Sequence, residues 1–94
     1  MGISEMQNSF YVMVFHSTTD TIQTEGKLKS KVKTIIIPTP REISKSCGFA
    51  IRFADVEEDD VMEITRTIDV PHALYFLRKE GGKQRTVVLI DELV

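Results

Sequence analysis

Short runs of β-branched and aromatic residues alternate with two capped amphipathic segments along this chain of 94 residues, which predicts an α+β fold. The predicted order of elements is β-α-β-β-α-β with one additional strand at the end. This is the order of a ferredoxin-like split βαβ sandwich that is extended by a C-terminal hairpin. In that plan two helices cover one face of an antiparallel sheet, and the third strand lies beside the first and antiparallel to it.

The first strand and the first helix are predicted from adjoining signals. Residues 10–15, FYVMVF, are rich in aromatic and β-branched side chains, which is typical of a central strand. Ser17 and Asp20 have the spacing of a capping box, so a helix is expected to begin here and to continue to about residue 32. Its expected apolar contacts are Ile22, Leu28 and Val32.

The next two strands flank a loop that contains two prolines. Residues 34–37 form a β-branched run that is halted by Pro38 and Pro40. Residues 48–53, GFAIRF, then alternate large apolar side chains with Ala50 and Arg52, which is typical of a half-buried strand. In the predicted plan, the loop from Pro38 to Ser46 lies at the edge of the sheet where the first strand ends.

The second helix and the terminal hairpin complete the pattern. Asp55 and Glu58 repeat the capping spacing, so a helix is expected to continue to about residue 67. Strands are predicted over residues 73–78 and 85–90, on either side of the turn sequence EGGK. The apolar residues at helical intervals in the second helix are Val61, Ile64 and Ile68.

Two charged runs are expected to accompany the helix ends. The lysines at positions 27, 29, 31 and 33 fall at the predicted end of the first helix, where the helix dipole favours cations. The four acidic residues 57–60 fall at the start of the second, where the dipole favours anions. His72 follows Pro71 at a turn and is expected to be structural or exposed.

Composition bounds the class of protein. Twelve basic and fourteen acidic residues give a formal charge of −2, with 41% hydrophobic and 28% charged residues, as in an ordinary globular domain. One domain over residues 1–94 is expected, with residues 1–9 as a flexible N-terminus. A domain this small leaves little room for a deep ligand cavity, so a site is expected on an edge or a loop. The opening residues lack the basic and apolar regions of a signal peptide, and no run approaches the length of a membrane span, so a cytoplasmic location is expected.

The single cysteine, Cys47, excludes an internal disulfide and a multi-cysteine zinc site. In the predicted plan, the start of the third strand at Cys47 and Gly48 lies beside the end of the first strand at His16. The first helix begins there with Ser17, and Arg41 and Lys45 lie on the loop that leads to the cysteine. These six residues are the candidate site: Cys47, Gly48, Arg41, Lys45, His16 and Ser17.

This arrangement has the chemistry of a reactive thiol. A thiolate is the reactive form of cysteine, and nearby cations or a helix N-terminus lower the thiol pKa from its usual value near 8.5. We therefore expect a lowered pKa for Cys47. The alternative is a buried, inert cysteine, because a strand that extended back to Cys47 would put its side chain on the same face as Phe49 and Ile51.

A resemblance adds weight to the first interpretation. The stretch FHSTTD followed by PTPREISKSCGFAIRF, within residues 11–68, resembles the selenium/sulfur carrier protein-like family of small bacterial and archaeal proteins. The resemblance implies that Cys47 carries sulfur or selenium as a persulfide or selenopersulfide. It implies a carrier rather than an enzyme, with a donor protein such as a cysteine desulfurase and an acceptor protein, and it calls for no cofactor and no metal.

Two other functions fit parts of the pattern. In the first, the chain is a non-catalytic interaction or regulatory domain, homodimeric through the apolar edge strand at residues 86–90, and Cys47 is structural. In the second, GFAIRF is part of an RNA-binding motif. The acidic charge of the chain and a cysteine in the basic position of that motif argue against nucleic acid.

Overall fold

The described residues form five strands and two helices. The computed structural model describes residues 9–44, 48–54, 56–80 and 84–93. In chain order the elements are β1 (Ser9–Phe15), α1 (Thr18–Leu28), β2 (Lys33–Pro38), β3 (Phe49–Ala54), α2 (Glu58–Arg66), β4 (His72–Glu80) and β5 (Gln84–Leu93).

The sheet has the strand order β2-β3-β1-β4-β5, and all neighbouring strands are antiparallel. The predicted α+β class is confirmed, and so is the prediction that the third strand pairs with the first. The order differs from a simple β-α-β-β-α-β plan because β5 adds a fifth strand beside β4.

Both helices contribute to one core on one face of the sheet. Seven buried residues form this cluster: Met13, Leu28, Ile51, Phe53, Val61, Ile68 and Leu74. A second, smaller cluster contains Phe10, Val12, Ala50 and Leu77 from β1, β3 and β4. Phe10 and Leu77 are cross-strand partners, and Ile43 of the loop after β2 packs against the cluster. The guanidinium of Arg52 lies 4.2 Å from the centre of the Phe10 ring and covers part of this second cluster.

The first helix is shorter than predicted and buries a different face. It ends at Leu28, and the amide of Val32 donates to the Leu28 carbonyl in a turn that redirects the chain into β2. The buried residues of α1 are Thr21, Thr24 and Leu28, at helical spacing, so Ile22 falls on the opposite side and is 55% exposed. The expected contact of Ile22 is therefore wrong, whereas Val32 lies after the helix but packs, partly buried, against the core as expected.

The charged runs are distributed differently from the prediction. Lys27 lies in the last turn of α1 as expected, but Lys29 and Lys31 follow the helix and Lys33 begins β2, where it pairs with Ala54. Pairing with β3 thus extends the strand back into the lysine run. Ser9 likewise belongs to β1, where it pairs with Arg78, rather than to a flexible terminus.

The second helix begins later than its capping signal predicts. Its N-cap is Glu57, whose side chain makes no capping hydrogen bond, and Asp55 lies outside the described residues. Glu58, Asp59 and Asp60 occupy the first turn, where the helix dipole stabilises negative charge. Neither helix among the described residues has the length and apolar character that a membrane crossing requires.

The terminal hairpin is longer than predicted and contains a β-bulge. Leu74 pairs with Asp91 and Tyr75 with Leu89, so Ile90 is an extra residue in β5. The strand continues to Leu93 because the acidic residues after the bulge still pair with the start of β4.

Candidate functional site

A cavity of about 230 Å³ lies where β1 ends, α1 begins and β3 starts. Its lining includes the three segments that the sequence places at one edge, together with the loop after β2. The residues that line it with polar groups or with exposed backbone are His16, Ser17, Thr18, Thr39, Ser44 and Gly48. Hydroxyl groups therefore dominate the polar lining.

The start of α1 is fixed by Ser17. Its backbone is extended, and its hydroxyl accepts a hydrogen bond of 3.1 Å from the amide of Asp20. This confirms the predicted N-cap. Because the first amides of a helix point out of its N-terminus, this end of α1 offers partial positive charge beside the cavity.

A buried threonine joins the start of α1 to the start of β3. The Thr21 hydroxyl is 3.0 Å from the carbonyl oxygen of Ser17 and 3.4 Å from that of Phe49, and the residue is 1% exposed. The two walls of the cavity are thus held together by one side chain. Thr21 was not identified from the sequence, although its spacing from Leu28 could have marked it as part of the buried helix face.

The loop between β2 and β3 is closed at its base by a backbone hydrogen bond. The amide of Thr39 donates to the carbonyl of Gly48 over 3.0 Å. Inside the loop, the amides of Ile43 and Ser44 both donate to the carbonyl of the buried Pro40, which forms a tight turn. Thr39, Ser44 and Gly48 therefore reach the cavity from opposite ends of one constrained segment.

Of the six candidate residues, the structure brings His16, Ser17 and Gly48 to this cavity. Arg41 is exposed in the turn of the loop and is not among the residues that line the cavity. Cys47 and Lys45 lie outside the described residues.

Two observations bear on the environment of Gly48. A Cβ atom on Gly48 would meet only the hydroxyl oxygen of Thr39, at the ordinary contact distance of 3.7 Å, so packing does not require a glycine here. The strand begins after it, at Phe49, and Phe49 is 46% exposed although it alternates with the buried Ile51 and Phe53. The core face of β3 therefore reaches solvent at this end of the sheet.

A second histidine lies close to the site, and its burial was not predicted. His72 is 4% exposed and faces the ring of Phe15, with ring centres 6.0 Å apart. Its Nδ1 is 2.8 Å from the carbonyl oxygen of Val70, and within the described part of the chain its Nε2 has no hydrogen-bond partner. The alternation of His72 with the buried Leu74 was the signal that could have predicted this.

His16 borders a second cavity as well. This cavity, of about 180 Å³, is also lined by Phe15, His72 and Glu92. Among the described residues, no three histidine, cysteine, aspartate or glutamate side chains are grouped closely enough to hold a metal ion. Two histidines and one carboxylate thus border this second cavity.

Comparison with known proteins gives one finding about the family. Residues 10–75, more than two thirds of the chain, match the family described as "Putative Se/S carrier protein-like". No curated protein and no solved structure gives a significant match. The matched range includes His16, Ser17, Cys47 and Gly48, and the chain belongs to this family.

Proposed function

We propose that the protein is a sulfur or selenium carrier that holds its cargo on Cys47 as a persulfide or selenopersulfide. The observation that carries this proposal is the position of Gly48, which directly follows Cys47 in the sequence and lines the polar cavity beside His16 and the capped start of α1. Membership of the Se/S carrier-like family supports the same conclusion.

The proposed loading step is an exchange at sulfur. The Cys47 thiolate attacks the terminal sulfur of a donor persulfide, a new S–S bond forms on Cys47, and the donor's S–S bond breaks and releases its thiolate. The reaction has no net oxidation or reduction and cleaves no carbon–sulfur bond. This is the reason for proposing a carrier rather than a catalyst, with a cysteine desulfurase as the class of donor and a second protein as acceptor.

The surrounding residues would stabilise the anion at each stage. A persulfide and a thiolate are both negatively charged, and the N-terminal end of α1 favours an anion. We assign hydrogen bonding to His16 and Ser17, and electrostatic attraction to Arg41 and Lys45 from the loop. A Cβ atom on Gly48 would fit the fold, so packing does not require a glycine there. We assign this glycine to the approach of a partner's backbone.

The solvent exposure of the first residue of β3 supports the interpretation that Cys47 is accessible and not buried. The strand begins two residues after Cys47, and its first side chain, Phe49, is nearly half exposed. A core position at residue 47 would require the buried face of β3 to extend further than Phe49 allows. We therefore favour the reactive interpretation, in a reducing compartment such as the cytoplasm, where a thiol persists.

We also propose that the fold is the ferredoxin-like one with an appended strand. The order β2-β3-β1-β4 and the antiparallel pairing of every neighbour are those of a split βαβ plan. In this interpretation β5 is an addition at the edge, and residues 10–75, which carry the family match, hold the strands that surround the site.

Intact-mass analysis tests the function. After incubation with a cysteine desulfurase and cysteine, the protein is expected to gain the mass of one sulfur atom, and the gain is expected to disappear with Cys47→Ala. Gly48→Ala is the matched control, because it keeps the thiol and fits the fold; it is expected to load, and to pass sulfur to an acceptor more slowly.

Two results would contradict the proposal. One is the absence of any mass gain with either a sulfur or a selenium donor, which would favour an interaction domain. The other is a gain that persists in Cys47→Ala, which would move the cargo to another group. The rate of alkylation against pH is a second measurement, and a midpoint near the ordinary thiol value of about 8.5 would remove the proposed anion-stabilising environment.

A further inference from the structure

The outer side of β5 is the longest strand edge of the sheet. β5 pairs with β4 along its length, from Gln84 opposite Glu80 to Leu93 opposite His72. It is the last strand in the sheet order, and within the described residues no strand pairs with its other side. Ten residues of strand span about 33 Å, which is enough for a complete second strand to pair with it.

This edge is apolar on both faces. Val88 and Leu89 are 45% and 50% exposed, and because successive side chains of a strand point to opposite faces, each face carries one of them. Leu93 adds a third exposed apolar side chain at the end of the strand. Exposed strand edges are usually protected by lysine, proline or a β-bulge. The sequence of β5 contains neither lysine nor proline, and its bulge, at Ile90, lies beyond the apolar stretch 87–89.

The charges of β5 are arranged so that the strand is complementary to itself. Its only basic residue, Arg85, stands near its start, and its acidic residues, Asp91 and Glu92, stand near its end. Antiparallel pairing of two copies brings the basic start of one opposite the acidic end of the other, twice over. Parallel pairing would instead bring like charges together, which is destabilising.

We propose that β5 pairs antiparallel with β5 of a second copy of this chain, about a two-fold axis near Val88. In this register Val87 lies across from Leu89 of the other copy, and Arg85 takes a position across from the Asp91–Glu92 pair. The two sheets become one continuous sheet of ten strands. This inference rests on the edge alone and is independent of the carrier function.

The proposed dimer leaves the cavity beside Gly48 accessible in each copy, because no residue of β5 lines it. Two strands of the second copy and two of the first separate the two β1 strands, a distance of about 24 Å at the usual strand spacing. Each Cys47 loop would therefore meet a donor or an acceptor independently of the other.

Light scattering on the full chain tests the proposal. The wild-type protein is expected to have the mass of a dimer, and Val88→Lys and Leu89→Lys are expected to be monomers. Ile35→Lys is the matched control, since Ile35 is exposed to a similar extent (53%) but lies on β2, the opposite edge strand; it is expected to remain a dimer. Circular dichroism checks that each variant is folded. If a lysine variant does not fold, Val88→Thr is measured in its place, because threonine keeps the strand propensity of valine.

Charge reversal tests the register. Arg85→Glu is expected to weaken the dimer roughly tenfold, because opposite charges at two cross-strand positions become like charges. An equimolar mixture of Arg85→Glu with Glu92→Lys is expected to recover association as a heterodimer. A monomeric wild type would overturn the proposal. So would a dimer that persists in Leu89→Lys and is lost in Ile35→Lys. Loss of sulfur loading in Cys47→Ala concerns the carrier function and leaves the proposed dimer unaffected.

Discussion

The two edge strands of the sheet differ in how they meet solvent. β2 has six residues, packs against α1 and ends at Pro38, whereas β5 has ten residues and leaves Val88 and Leu89 about half exposed. The amide of Thr39 points toward β3, where it donates to Gly48, so by the alternation of a strand the nitrogen of Pro38 faces outward. A proline at that position presents no N–H to another chain.

This difference separates two tasks across the width of the sheet. At the edge that leads into the loop before Cys47, Pro38 removes one outward N–H from the end of β2. The other edge offers unpaired backbone and apolar side chains. In the functions proposed above, sulfur transfer and association would therefore lie on opposite sides of the same small domain.

The largest expected effect is on the free energy of unfolding, and it is tested by one substitution at a buried residue beside β2 and one at an exposed residue of β5. Phe53→Ala removes a ring that is 2% exposed in the core shared by both helices, and is expected to lower the free energy of unfolding by about 3–5 kcal/mol. Val88→Ala is expected to change it by less than about 0.5 kcal/mol. Urea unfolding of dilute, monomeric protein measures the free energy of unfolding of both variants. If Val88→Ala lowered it as much as Phe53→Ala does, the exposed side chains of β5 would have to contribute to the core.

A smaller effect is expected at the start of α1. Ser17→Ala removes the hydroxyl that caps the helix and is expected to lower the free energy of unfolding by about 1 kcal/mol without changing the oligomeric state. Thr19→Ala, at an exposed position in the first turn, is the control for loss of a hydroxyl and is expected to change stability much less. A change of mass in Ser17→Ala would show that the two sides of the sheet are coupled.

The smallest expected effect tests the protection of β2. Pro38→Val restores an outward N–H and is expected to alter the free energy of unfolding by no more than about 0.5 kcal/mol. In a Leu89→Lys background, where β5 pairing is removed, it is expected to produce weak self-association that rises with concentration in light scattering. Adding Ile35→Lys on the same edge is expected to abolish this self-association. If the Pro38→Val variant stayed strictly monomeric, a feature other than Pro38 would protect β2.

Local sequence predicts the strands that are apolar throughout and the helix start that carries a capping serine. Residues 10–15 and the Ser17 cap are found where they are predicted, because strand propensity and the capping hydrogen bond act over a few residues. The pairing of β3 with β1 also follows, since the plan depends only on the order of elements.

What the sequence does not predict depends on contacts between distant residues. The polar ends of β5 at Asp91 and Glu92 become strand because β4 supplies partners for them. Thr21 and His72 are buried because neighbouring elements close over them, and neither residue type marks such a position. Ile22, by contrast, is exposed because the phase of α1 is set by Thr21, Thr24 and Leu28 against the sheet.

The backbone hydrogen bond between Thr39 and Gly48 makes the intervening loop an exchangeable module. Its two ends are joined where the sheet begins, so a change in length inside it leaves the register of β2 with β3 intact. Doubling the length of a flexible loop adds only about 0.6 kcal/mol of closure entropy. We propose that the segment before Gly48 can vary in length while the pairing of β2 with β3 stays constant.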